Sequence, residues 1–359
     1  MMKKIKYIQV YLLMIIILSL FVNSCSHDDP VTPPPPEQPY DYDSARFDWT
    51  VDTLGGSGFL YGFLGSLWAV DTNEILIPNI FANSLLHLKD GVKTITYYPA
   101  ENRVGLILDD NQNNGYRIGD VLIGNFYQPI IQKWDGSAFV DISNPQNFDR
   151  NFFIWTAMIK NDKEMWFGLT DGTVVKFDGV SFTSYPSLGS DIVFTKIFYD
   201  NLNQLTILAW DPHFKIDHTE YFVFQLINNT WVKVFADYDM LRPIRYNTIE
   251  NAIIASSNNG IYRLVDSTLM PTILVPNIYY LTFDATSYSN VLVTGYDRTK
   301  NCIFPFFHWN GKKWSREGPC NFLTSESIVY FLNEDVVFVL VYDPGWGETY
   351  LMQGIKKTF

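Results

Sequence analysis

Residues 165–179 read MWFGLTDGTVVKFDG, and 180–185 continue as VSFTSY. Two apolar runs, 165–169 and 173–177, are parted by Thr170-Asp171-Gly172, and Asp178-Gly179 then separates 173–177 from the alternating run 181–185. Just upstream, 155–159 (WTAMI) supplies a further apolar run. Short runs rich in β-branched and aromatic residues, punctuated by Asp-Gly, are the pattern of strands joined by tight hairpins. The stretch therefore holds four strands.

Working outward, the same punctuation recurs along the chain. The turn pairs are Asp90-Gly91, Asp135-Gly136, Asp178-Gly179, Asn228-Asn229, Asp266-Ser267, Asn310-Gly311 and Gln353-Gly354, spaced by 45, 43, 50, 38, 44 and 43 residues. Asp-Gly and Asn-Gly supply the positive φ values of a type I′ turn, so these pairs are expected to close two-residue hairpins. In the sixth unit the runs 279–283 and 291–295 precede the turn as 155–159 and 165–169 do in the third. Four strands in about 44 residues, repeated seven times, predict an all-β fold: a seven-bladed β-propeller of four-stranded antiparallel blades. No sustained 3.6-residue apolar period follows residue 45, which disfavours helical repeats. Phe47, Trp49 and Val51 alternate with polar residues ahead of the first unit, and the last unit ends in 355–359, read as a very short fourth strand. The orphan strand at 47–51 is expected to join the last blade and close the ring, because an open ring leaves strand edges exposed.

The third unit resembles a two-component-regulator propeller repeat: an apolar-Trp-apolar-Gly run, a Gly, then a strand ending in an aromatic and Asp-Gly. Lys133-Trp134-Asp135-Gly136 and His308-Trp309-Asn310-Gly311 echo its last part. The resemblance implies a periplasmic or cell-envelope propeller of the kind found in sensor kinases and free-standing lipoproteins. No kinase segment follows here, so signalling would need a separate partner.

The first thirty residues give an address. Lys3, Lys4 and Lys6 precede an apolar run over 10–22. Thirteen residues at helical rise span about 20 Å, short of the roughly 30 Å hydrocarbon core, which fits a signal peptide. Its end, Leu20-Phe21-Val22-Asn23-Ser24-Cys25, resembles a bacterial lipobox, which implies cleavage before Cys25 and lipidation of its thiol. Residues 1–24 are thus expected to be a lipoprotein signal peptide, 25–46 the lipidated Cys with a Pro-rich linker, and 47–359 the propeller. Pro33 to Pro36 favour an extended, semi-rigid spacer. The acidic pair Asp28-Asp29 looks like a loose surface-export signal, so the expected location is an outer-membrane lipoprotein, on the cell surface or in the periplasmic leaflet.

The chain carries 26 Lys plus Arg against 38 Asp plus Glu, a formal charge of −12, and processing would make it −15. Such a balance argues against a nucleic-acid partner, which needs clustered cations. The membrane is met through the lipid anchor; a protein or glycan partner is expected beyond it. With 47% hydrophobic residues the chain has material for a core, so general disorder is excluded.

Candidate chemistry is sparse. Cys302 and Cys320 flank the Asn310-Gly311 turn at nearly matching register, and are expected to form a structural disulfide in an oxidising compartment. His213 and His218, with Asp211, Asp217 and Glu220, match no common metal-ligand spacing. Neither a Gly-x-Ser-x-Gly elbow nor a phosphate loop is found. No catalytic residue, metal or cofactor is assigned. A polysaccharide lyase or hydrolase is the alternative, and it would need titratable groups converging where the first strands line a central tunnel. Those strands (67–70, 104–107 and 328–331) read as apolar. A ligand site is expected instead where second strands end in aromatic-Asp pairs: Trp210-Asp211, Tyr296-Asp297 and Tyr342-Asp343, with Trp346 in the Gly-flanked loop beyond the last. Rings beside carboxylates could stack on and hydrogen-bond a sugar or peptide. The overall reading is a lipid-anchored binding or scaffolding module, more a binder than an enzyme.

Overall fold

The computed structural model describes residues 45–358 except 56–65, 80–81, 111, 124–125, 144–153, 201, 212–219, 238–244, 250–251, 258–259, 266–267, 275–277, 298–305, 318–325 and 344–347. Cys25, Cys302, Cys320, Trp346, His213, His218, the Asp266-Ser267 turn, the signal peptide and the Pro-rich linker lie outside the described residues.

The first strand, β1 (Phe47–Gly55), belongs to the last sheet. Sheet I follows as β2 (Trp68–Ala69), β3 (Glu74–Asn79), β4 (Ser84–Lys89) and β5 (Val92–Tyr97). Sheet II holds β6 (Asn102–Asp109), β7 (Gly115–Ile123), β8 (Phe126–Trp134) and β9 (Phe139–Asp141). Sheet III is β10 (Ile154–Asn161), β11 (Glu164–Leu169), β12 (Val174–Phe177) and β13 (Phe182–Tyr185). Sheet IV is β14 (Val193–Tyr199), β15 (Leu205–Asp211), β16 (Glu220–Ile227) and β17 (Thr230–Asp237). Sheet V comprises β18 (Arg245–Ile249), β19 (Ala252–Ser257), β20 (Gly260–Val265) and β21 (Thr268–Leu274). Sheet VI comprises β22 (Ile278–Ser287), β23 (Asn290–Asp297), β24 (Phe306–Trp309) and β25 (Trp314–Glu317). Sheet VII, ordered β1-β28-β27-β26, adds β26 (Glu326–Phe331), β27 (Val336–Asp343) and β28 (Glu348–Lys356). Every pairing is antiparallel between sequence neighbours except β1 with β28. This is an all-β propeller with four-stranded antiparallel blades.

The second strands read as continuous apolar runs because each sheet is covered on both faces by its neighbours. β3 is buried along its whole length, and so are most of β11 and β15. Apolar clusters bridge neighbouring sheets: Ile77 and Leu86 of sheet I meet Phe338 and Leu340 of sheet VII, and Ile118 of sheet II meets Ile159 and Phe167 of sheet III. The outer strand β5, with no sheet beyond it, is exposed at every residue.

Hairpin turns follow the expected positions with two corrections. Asp90-Gly91 (φ 49° and 76°) and Asn228-Asn229 (φ 50° and 60°) are two-residue turns with both residues in the left-handed region. The Asp135, Asp178 and Asn310 turns are instead four-residue loops, closing Trp134 on Phe139, Phe177 on Phe182 and Trp309 on Trp314. There the Asp or Asn is not the left-handed residue; its side chain caps the loop, as Asp178 Oδ1 does by accepting from Val180 and Ser181 N–H at 2.9 and 2.7 Å. Gln353-Gly354 is no turn at all. It lies inside β28, with Gly354 between Trp49 and Val337, where a Cβ would stand 3.1 Å from the indole and 3.0 Å from the valine.

The run 355–359 is consequently not a fourth strand; β1 takes that place, as the alternation at Phe47 and Trp49 anticipated. Its start is fastened to sheet VI by the fully buried Glu317. This carboxylate accepts from Arg46 N–H (2.6 Å), Phe47 N–H (3.1 Å), Trp49 Nε1 (3.4 Å) and Ser315 Oγ (2.8 Å). Burial pushes the Glu317 pKa up, and these four donors oppose it. Phe47 also packs edge-on against His308, whose Nε2 pairs with Asn290 Oδ1 at 2.7 Å. Glu317→Ala should cost about 3 kcal/mol in urea unfolding, because two backbone donors lose their partner in the core. Glu317→Gln, which keeps an acceptor oxygen, should cost less.

Candidate functional site

Antiparallel pairing defines two ends for every sheet. At one, which we call the rim, first strands begin and second strands finish. At the other lie the first-to-second and third-to-fourth strand turns. The aromatic-Asp pairs sit at the rim: Trp210 faces Val193, Tyr296 faces Tyr279, Asp297 faces Ile278 and Tyr342 faces Glu326 across their strand pairs. Sheets IV, VI and VII therefore present them at equivalent places. Trp210 is half-buried against Phe198, Leu208, Tyr221 and Val223. Tyr342 is 9% exposed and packs in the cluster joining sheets VII and I. Its ring serves the core there.

The turn end carries a signal that sequence reading missed. An Asp or Asn closes the first strand and caps the next turn at Asp71, Asp110, Asn161, Asp200 and Asn333, accepting the N–H two residues on at 2.7–2.9 Å. Neighbouring sheets are bolted together at this level. Trp68 Nε1 donates to Asn113 Oδ1 (2.9 Å), and Tyr116 OH donates to Asp162 Oδ1 (2.5 Å) beside Lys133 Nζ (2.9 Å). Tyr199 OH donates to Glu164, and Gln353 Nε2 to Thr72 O (2.8 Å). Burial alone would raise the Asp162 pKa, but the Tyr116 and Lys133 bonds hold it below the usual range.

A cavity of about 660 Å³ opens at the turn end where sheets VII, I and II meet. Asp71, Asp109, Asp110, Asn113 and Tyr330 line it. Asp110 is consumed by Gln112 N–H, Asn114 and Tyr116 OH. Asp109 accepts from Tyr330 OH at 3.1 Å through Oδ2. Burial raises its pKa; the Tyr330 bond opposes this, and the Asp110 and Asp284 charges add to the rise. Deeper along the first strands, Asp284 accepts Phe331 N–H at 2.9 Å. Burial pulls the Lys196 pKa down, with the Asp284 charge opposing. Titratable groups from sheets II, IV, VI and VII thus approach one channel, contrary to the apolar lining expected from 67–70, 104–107 and 328–331. Asp109 stands at a strand end and Lys196 and Asp284 on strands not considered, while Tyr330 lies within 328–331 itself. Among the described residues, no three His, Cys, Asp or Glu side chains are grouped to hold a metal ion.

At the rim of sheet II, Asp120 is 7% exposed and its Oδ1 has no hydrogen-bond partner. Arg103 lies directly cross-strand, with its guanidinium 3.7 Å from the centre of the Tyr127 ring. Burial pushes the Asp120 pKa up to about 7, against the pull of Arg103. The folded state therefore keeps a proton that the unfolded chain has released, so this group lowers stability as pH rises from about 4 to 7. Asp120→Asn should stabilise the fold above pH 7 by on the order of 3 kcal/mol, and the gain should vanish toward pH 4 in denaturant titrations.

No protein-family model matches this chain, and no curated protein matches it in sequence. Solved structures share the fold at low identity. YCF48 bound to a D1 peptide has a TM-score of 0.57 at 11% identity, covering 89% of this chain and 100% of that one. The Pan2 WD40 domain of Neurospora crassa has a TM-score of 0.55 at 10% identity, covering 89% and 99%. BBS1N in complex with ARL6DN has a TM-score of 0.54 at 10% identity, covering 87% and 98%. The likeness is one of fold: the chain is a β-propeller.

Proposed function

We propose that this chain is a ring of seven four-stranded blades, held in the cell envelope by lipid on Cys25, which binds or scaffolds a protein partner. The seven sheets support the blade count, and propeller relatives solved with a peptide or a protein fit the binding role. The observation that carries it is the cavity at the turn end. It is preformed, walled by turns whose own side chains fix them, and rich in acceptors, with no Lys, Arg or His among its lining residues. A partner segment offering N–H donors or a basic side chain suits it. The aromatic-Asp pairs at the rim, with Asp343 and Trp346, offer a second ligand face in the same reading. Cys302 and Cys320 form a bridge in it.

Three measurements check this. Metabolic labelling with a fatty-acid analogue should mark the wild type and not Cys25→Ala. In a peptide array, Lys- or Arg-bearing peptides should be retained over neutral ones, and Asp109→Asn with Asp71→Asn should weaken capture by about tenfold; equal capture by the double variant would count against the cavity. Alkylation of the unfolded chain before reduction should leave Cys302 and Cys320 unmodified.

A second reading rests on the convergence of Asp109, Asp284, Lys196 and Tyr330 in the channel. In an enzyme of the polysaccharide lyase or hydrolase type these would be the acid-base groups. Turnover of a polysaccharide that is abolished by Asp109→Asn would favour it over the binding module.

A further inference from the structure

The rim ends of sheets II and III, neighbours in the ring, carry two features that neither the hairpin repeat nor the turn-end cavity uses. The first is Trp155. It is the extra residue of a β-bulge: Ile154 pairs with Leu169 and Thr156 with Gly168, leaving Trp155 unpaired between them. A bulge re-aims its side chain away from the regular alternation, and Trp155 is 45% exposed on a first strand whose neighbours Ala157 and Ile159 are buried. One-residue bulges recur at the same level in sheets II and IV, around Gly105 and Thr195. Both are small, and the Thr195 hydroxyl is turned back to Leu208 O at 2.9 Å. Neither neighbouring bulge supplies an aromatic cover for the indole.

The second feature is Asp120. Along β7 it shares a face with Tyr116 and Ile118, whose side chains pack into the cluster that contains Ala157, Ile159 and Phe167 of sheet III, with Ile154 beside them. Asp120 therefore faces the same seam, at the rim, and brings a buried oxygen with no donor. Buried acceptors in native structures are almost always satisfied, so an exception calls for a partner.

We propose that this rim seam binds a pyranose ring, with the Trp155 indole stacked on the C–H face of the sugar and Asp120 accepting one of its hydroxyls. The ligand class follows from the charges. Arg103, cross-strand from Asp120, opposes a basic peptide, and Asp120 opposes an acidic one. A neutral, flat-faced molecule rich in O–H donors meets both demands. The site rests on the binding-module reading, but it uses the face opposite the Asp109 cavity and different residues.

The test is calorimetric titration of the full chain in detergent with cellopentaose, N-acetylchitopentaose and maltopentaose. At least one should bind. Trp155→Ala should weaken it about tenfold or more, and Trp155→Phe by less, since a smaller ring still stacks. Asp120→Asn should weaken it severalfold while melting no lower than wild type, so lost binding cannot be ascribed to unfolding. Asp109→Asn should leave sugar binding unchanged, which separates this site from the protein-binding cavity. The proposal is overturned if none of the three sugars binds at millimolar concentration, or if Trp155→Ala and Asp120→Asn bind as wild type does.

Discussion

Everything in this ring depends on one non-local pairing, that of β1 with β28. Every other described strand pairs with a sequence neighbour. β1 must find its partner from the far end of the chain, Phe47 opposite Lys356 and Val51 opposite Met352. Without it, sheet VII would be three strands with an open edge, and the apolar cluster of Phe47, Val339 and Met352 would lie uncovered. The closure is not left to backbone ladders. The buried Glu317 collects four donors from Arg46, β1 and β25, so the last blade is registered against sheet VI as well as within itself.

The same economy of polar groups organises the two faces. At the turn end, carboxylates and amides are spent on capping turns and bolting neighbouring sheets. A cavity opens there where sheets VII, I and II meet, and Asp109 and Asp110 beside it are held by their neighbours. At the rim, a bulge leaves Trp155 exposed, and Asp120 keeps an oxygen without a donor.

Charge has different consequences at the two places. Asp162 and Glu164 sit beside lysines and phenols that hold them ionised, and they act as fixed struts. Asp109 and Asp120 are buried with too little compensation, and their pKa values rise. In a chain with 38 acidic residues, exposed carboxylates are unremarkable company for solvent. Among those pushed above their ordinary range Asp120 stands apart: Glu317 and Asp109 have donors, and its Oδ1 has none.

Much of the architecture was legible in the residues themselves. Alternation and Asp-Gly or Asn-Gly punctuation located strands and hairpins, because strand period and positive φ are local demands that residue type answers directly. The orphan strand at Phe47 and Trp49 was visible for the same reason. Loop length was not: Asp178-Gly179 and Asp90-Gly91 look alike in one dimension, yet one closes a four-residue loop and the other a two-residue turn. Gln353-Gly354 kept the repeat spacing while lying inside a strand, since Gly there answers to the Trp49 indole, a neighbour about 300 residues away. The channel groups, the Asp109 cavity and the Trp155–Asp120 seam were decided only by the tertiary structure. Their meaning lies in which side chains from separate sheets share a space and which buried oxygens go without a donor, and no local pattern encodes that.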